Sequence, residues 1–145
     1  MLVSFGRSGS SFTSDIIAHH PDVFYTFEPL SFMPEWRLIE EKFGPNHLNM
    51  SYLGNFSKRV IGSYLSCSFD QDTLVALTNH HNRMTNSTKK LAECLSTQRS
   101  SIVYIKCYLQ FIEKCQSHRM TFVKTIRFHV KSAHDLMVRF PKLKL

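Results

Sequence analysis

Phe5-Gly6-Arg7-Ser8-Gly9-Ser10-Ser11-Phe12 follows the apolar run Leu2-Val3-Ser4-Phe5 and precedes the helix-forming stretch Thr13-Ser14-Asp15-Ile16-Ile17-Ala18. A strand, a tight loop and a helix in that order aim backbone N–H groups and a helix dipole at one small volume. A phosphate or related oxyanion is held there. Gly6 and Gly9 permit backbone angles closed to other residues. Ser8, Ser10 and Ser11 add hydroxyl donors, and Arg7 adds a forked cation. The loop is not a Walker A motif: two residues separate its glycines instead of four, and Ser10 stands where the lysine belongs. With no evident magnesium pattern either, a sulfonate suits the loop, having one negative charge where a terminal phosphate has about two. The same string by itself also suits an ordinary serine-rich turn with an N-cap.

The rest of the chain alternates strand and helix signals. Val23 to Phe27 is β-branched and aromatic, bounded by Pro21-Asp22 and Pro29, and predicts a second strand. Helical spacing predicts helices over 34–43, 57–65, 70–79 (capped by Asp70) and 102–114. Phe122 to Ile126 predicts a third strand. Residues 132–140 predict a helix ended by Pro141, and 143–145 the start of a fourth strand. Strands alternating with helices give an α/β fold, a parallel sheet flanked by helices.

In such sheets ligands gather at the carboxyl ends of the strands. The glycine loop leaves the first strand there, and Glu28 ends the second. If those strands are neighbours, Glu28 lies beside the bound anion, where a carboxylate can take the proton of an attacking hydroxyl. Pro29 is expected to hold Glu28 extended. Lys124 and Arg127 are further candidates for contact with an anionic ligand. Three positions apart, they face opposite sides of a regular strand, and both reach the cleft only if the strand ends before Arg127.

Arg7 to Phe12, then His20-Pro-Asp-Val-Phe-Tyr25 and Phe27-Glu-Pro-Leu30, resembles the start of the Golgi carbohydrate sulfotransferases. The resemblance is nearest to the galactose, N-acetylglucosamine and N-acetylgalactosamine 6-O-sulfotransferases. Cys115, Val123-Lys-Thr-Ile-Arg127, Asp135-Leu136 and Phe140 to Leu145 follow the same family's order. The match is dense in the first and last thirty residues and thin between about 35 and 100.

The resemblance implies a P-loop NTPase-like sulfotransferase fold. It implies transfer of a sulfonate from 3′-phosphoadenosine 5′-phosphosulfate (PAPS) to a sugar hydroxyl, at the 6-position of a hexose in a glycoprotein or proteoglycan glycan. Arg7, Ser8, Gly9, Ser10, Ser11, Phe12 and Thr13 would hold the 5′-phosphosulfate, with Arg7 stabilising the leaving phosphate and Glu28 activating the acceptor. The family's 3′-phosphate motif, Arg-Asp-Pro-Arg, is expected beyond Leu145. Residues 1–145 therefore read as a partial domain cut at both ends, inactive alone. A type II Golgi anchor is expected upstream. A small-molecule kinase on the same loop and a non-catalytic glycan-binding protein are the alternatives.

The net charge of +7 and pI near 9.4 call for an anionic partner. No nucleic-acid module signature is present, and the basic residues are scattered, so an anionic nucleotide donor and an acidic glycan fit better. No run of about 18 apolar residues occurs. Asn49, Asn55 and Asn86 stand in sequons, a modest sign of a luminal chain. Cys67, Cys94, Cys107 and Cys115 suit two disulfides or buried thiols, and their spacing matches no zinc pattern. The adjacent pairs His19-His20 and His80-His81 diverge on a helix, and no metal site is expected.

Overall fold

The computed structural model describes residues 1–4, 6, 8–31, 50–70, 73, 85–96 and 101–145, with the side chains of 50–53 and 101–102 excepted. Along the chain lie β1 (Leu2–Val3), α1 (Ser10–Ala18), β2 (Val23–Phe27), α2 (Met50–Ser66), α3 (Asn86–Ser96), α4 (Ser101–Ser117), β3 (Met120–Thr125), a 3₁₀ turn (Val130–Ser132) and α5 (Ala133–Arg139). The protein is α/β, with a parallel three-stranded sheet flanked by helices. Among the described residues no helix is long and apolar enough to cross a membrane.

The strand order is β1-β3-β2. Leu2 and Val3 pair with Lys124 and Thr125, and Val23 to Phe27 pair in register with Met120 to Lys124. The condition that would set Glu28 directly beside the loop, β1 and β2 as neighbours, is not met: β3 separates them and puts Lys124 between the loop strand and the Glu28 strand. On the free side of β2, Tyr25 N–H donates to Ser87 Oγ (3.0 Å) and the Thr85 hydroxyl donates to the Tyr25 carbonyl (3.4 Å). Side chains at the start of α3 thereby satisfy backbone groups that another strand would otherwise take up.

Alternation along β2 divides the two layers. Phe24 packs edge-on against Phe111 of α4, at 5.3 Å between centroids. Phe69 also packs against the Phe111 ring and meets Tyr64 of α2. Val60, Ile61, Tyr64, Val123 and Leu136 complete this buried core. Tyr25 faces the other way, stacking on Phe122 and donating its hydroxyl to Ser14 of α1 (2.8 Å).

Two disulfides tie the helices together. Cys67–Cys115 joins the end of α2 to α4, and Cys94–Cys107 joins α3 to α4. Of the alternatives left by the sequence, the bridged form is the one observed, with no free cysteine. Helix α2 ends in a Schellman motif. Ser68 N–H donates to the Ser63 carbonyl, Cys67 N–H reaches the Tyr64 carbonyl, and Cys67 adopts a left-handed φ of 51°.

Helix α2 is longer than the predicted 57–65, and α4 extends its predicted 102–114 to both sides. Asp70 accepts from the Thr73 amide (2.9 Å) as a cap would; desolvation pushes its carboxyl up, but the Thr73 bonds and Arg59 outweigh this and hold it below the usual range. The predicted helix over 34–43 and nearly all of that over 70–79 lie outside the described residues. The predicted strand at 143–145 is absent: Leu143 N–H turns back to the Phe140 carbonyl, and the Lys144 carbonyl accepts from the Met1 amino group (2.5 Å).

Candidate functional site

The carboxyl edge of the sheet gathers the site. Ser4, just past β1, donates its N–H to the Thr125 carbonyl (3.1 Å), and Glu28, just past β2, donates its N–H to the Lys124 carbonyl (2.7 Å). Both segments thus leave β3 at consecutive residues. With one strand between them, the loop and Glu28 start about 9–10 Å apart.

Gly9 caps α1 with φ 76°. A Cβ there would meet nothing within 4 Å, so the backbone angle, not space, calls for glycine. At Gly6 neither crowding nor a positive φ requires glycine, contrary to the expectation for that position. Among the described residues no side chain caps α1, and its first turn holds no acidic residue, which leaves its leading N–H groups suited to an anion. Ser8, Ser11 and Thr13 are exposed beside them, Ser10 is buried and Phe12 stands in solvent. Arg7 lies outside the described residues.

Glu28 is the centre of the opposite half. Its side chain is 8% exposed, and each oxygen accepts from a cation: Oε1 from Lys124 Nζ, Oε2 from Arg127 Nη1 at 2.8 Å. Lys124 is itself buried, at 3%, with its ammonium 4.5 Å from the centre of the Phe27 ring. Such a buried pair is sustained only where hydrogen bonds replace lost water.

Two backbone features build this triad. β3 ends at Thr125, which frees Arg127 from the strand's alternation and lets it converge with Lys124 on one carboxylate. The Arg127 turn is pinned by its N–H to Thr125 Oγ1 (3.2 Å). Glu28 adopts φ 47°, a left-handed angle, instead of the extended form expected before Pro29. Continued alternation would send Glu28 toward the Phe24 layer, while Lys124 shares the Phe27 side. The left-handed angle breaks that alternation, and Ser31 N–H to the Glu28 carbonyl (2.9 Å) closes the turn.

A cleft of about 510 Å³ runs beside the triad between α1, β2 and the start of α3, lined by Ser11, Asp15, His19, Tyr25, Phe27 and Ser87. Phe27 is common to cleft and triad. Burial, opposed by the Ser14 hydrogen bond and reinforced by Asp15 and Glu28, pushes the Tyr25 phenol up to about 12, so it stays a neutral donor. His19 sits at the end of α1, its Nδ1 within 2.6 Å of the Asp15 carbonyl, suiting the helix-terminus role. No group of three or more metal-ligating side chains occurs among the described residues.

Of the sequence candidates, the structure brings Glu28, Lys124 and Arg127 into direct contact and sets Ser8 to Thr13 at the same sheet edge. Lys124 and Arg127 contact Glu28 in the structure, an arrangement the sequence signalled only through the position of the strand end. Asn55 and Asn86 are exposed on α2 and at the start of α3; Asn49 lies outside the described residues. Comparison with family models, with curated proteins and with solved structures finds no match.

Proposed function

We propose that the protein is a PAPS-dependent carbohydrate sulfotransferase of P-loop-like fold, acting on a hexose hydroxyl of a glycan. The observation that carries this reading is one sheet edge bearing both an uncapped glycine-led helix N-terminus and a buried carboxylate flanked by two cations. The first suits an anion and the second, one strand away along the same edge, suits a hydroxyl undergoing deprotonation. The donor supplies an activated sulfonate on a 5′-phosphate. The amides of residues 10–12 and the hydroxyls of Ser8, Ser11 and Thr13 hold that anion. The acceptor oxygen bonds to sulfur as the sulfur–oxygen bond to the 5′-phosphate breaks. The hydroxyl proton passes to Glu28, and the electron pair leaves on the phosphate. Positioning and charge stabilisation carry such a transfer.

Labelled PAPS offered with hexose-bearing glycans to the full-length protein tests the reading. Label in the glycan is the expected result, and absence of both transfer and PAPS binding would overturn it. In the full-length protein Arg7→Ala should cost about 10²–10³ in turnover, the scale of one preorganised donor. A magnesium-dependent transfer from ATP would instead identify the kinase.

The paired state of both Glu28 oxygens favours a second reading, a non-catalytic glycan-binding protein in which the triad is structural. Glycan binding independent of PAPS, without turnover, would establish it.

The two disulfides and the exposed Asn55 and Asn86 support a Golgi-luminal setting for either protein. The sequon hydroxyls of Ser57 and Thr88 are buried, so glycans would be attached before folding closes them off. Protein made in a secretory host should therefore lose mass on N-glycosidase treatment. Asn55→Gln and Asn86→Gln should each remove one glycan, as read by intact mass; unchanged mass in both would argue against a luminal chain.

A further inference from the structure

The triad holds two cations and one carboxylate, a local excess of one positive charge in a buried place. Lys124 lies on the strand between the loop and Glu28, and its ammonium covers the Oε1 that a base would use. Arg127, the more exposed cation at 22%, holds only the other oxygen, Oε2. Its N–H is anchored to Thr125, so its turn does not depend on Lys124. The ammonium, by contrast, ends a flexible four-carbon stem and can exchange one anionic partner for another nearby. The loop lacks a lysine of its own at the equivalent place, where Ser10 stands.

We infer that Lys124 is shared between Glu28 and the anion on the glycine loop. It masks Oε1 while the loop is empty and moves to a sulfonate oxygen once the donor is bound, leaving Oε1 free as the base. This rests on the sulfotransferase reading. Lys124 thereby supplies the ammonium that the loop lacks at the Ser10 place, and Arg127 keeps the unmasked carboxylate aimed by its remaining oxygen. Donor binding comes first, and the base is competent only afterwards. No proton or covalent bond changes hands at Lys124; it remains an ammonium throughout and exchanges one hydrogen-bond acceptor for another.

Loss of a negative charge near the donor favours its binding even if Lys124 stays in place, so the mark of the exchange is that the gain requires Lys124. If Glu28 competes with the donor for Lys124, removing the carboxylate charge strengthens donor binding. Calorimetric titration of PAPS into the full-length protein tests this alongside the desulfonated product, 3′-phosphoadenosine 5′-phosphate. Glu28→Gln should bind PAPS about 10-fold tighter than wild type, with a smaller change for the product. Lys124→Met should bind PAPS about 10–100-fold more weakly, while Lys124→Arg recovers part of the loss. The double variant Glu28→Gln/Lys124→Met, which keeps the wild-type net charge of the triad with Arg127 as its one charged member, should match Lys124→Met because no ammonium remains to be released. Weaker or unchanged PAPS binding in folded Glu28→Gln would overturn the inference. Should that variant not fold, the double variant decides alone: binding as tight as wild type would overturn it. If wild-type protein binds neither PAPS nor the product, the sulfotransferase reading itself fails, and the inference with it. Wild-type binding without these mutant effects removes the inference and spares the reading.

Discussion

In the full-length protein Glu28→Gln is expected to lower turnover by about 10²–10⁴, the range for removal of a positioned general base. The amide keeps the shape of the side chain and can still accept from Arg127, but it cannot take a proton. The loss should appear in the rate at saturating acceptor and donor, since the substitution leaves the loop and the Phe27 cleft in place. A second effect must be separated from it. Breaking a buried pair from one side costs about 3–5 kcal/mol when the surviving charge stays buried, and Lys124 is such a charge. Turnover is therefore expressed per PAPS-binding protein, with thermal unfolding recorded alongside. Near-normal turnover per binding site would make Glu28 structural and favour the glycan-binding reading. A large loss with retained donor binding would place Glu28 in the chemistry.

The parts of this site legible in the sequence are those set by local chemistry. Val23 to Phe27 was readable as a strand because a β-branched and aromatic run lies between Pro21-Asp22 and Pro29, and β2 has those bounds. The helix after the glycine loop and the termination of α5 at Phe140-Pro141 follow from equally local signals. Helix α3 was missed because Asn86-Ser87-Thr88 are weak helix formers that suit loops. Its Leu91 and Leu95 face the core only because α4 and the Cys94–Cys107 bridge give them something to cover.

The triad depended on facts no local pattern carries. Insertion of β3 between β1 and β2 is a property of the whole sheet, yet it decides that Lys124 stands beside Glu28. Pro29 biases the residue before it toward extended backbone, and at Glu28 the tertiary contacts override that bias. A left-handed non-glycine residue costs on the order of 1–3 kcal/mol. Two ion pairs and the Ser31 hydrogen bond hold it in place. Such strain, placed on a buried carboxylate at the carboxyl edge of a parallel sheet, favours a role beyond packing.

The cross-links set the second large effect. Replacing both members of Cys67–Cys115 by alanine should lower the unfolding free energy by about 4 kcal/mol, and the same change at Cys94–Cys107 by about 3. The order follows from the sequence separations of 48 and 13, because the longer loop loses more entropy when cross-linked in the unfolded chain. For a domain whose whole stability is about 5–15 kcal/mol, either loss is large. Packing pushes the same way: Cys115 is fully buried at the Phe111 end of α4, so its replacement also empties core volume. The backbone at Cys67 adds an internal control. Its φ of 51° is the left-handed C′ position of the Schellman motif, which glycine occupies without strain. Cys67→Gly/Cys115→Ala should therefore be about 1 kcal/mol more stable than Cys67→Ala/Cys115→Ala, the scale of the left-handed penalty. Urea unfolding followed by circular dichroism reads all three differences. A larger loss at Cys94–Cys107 than at Cys67–Cys115 would show that loop entropy does not govern the cross-links. A glycine variant no more stable than the alanine one would show that the end of α2 changes conformation once the bridge is gone.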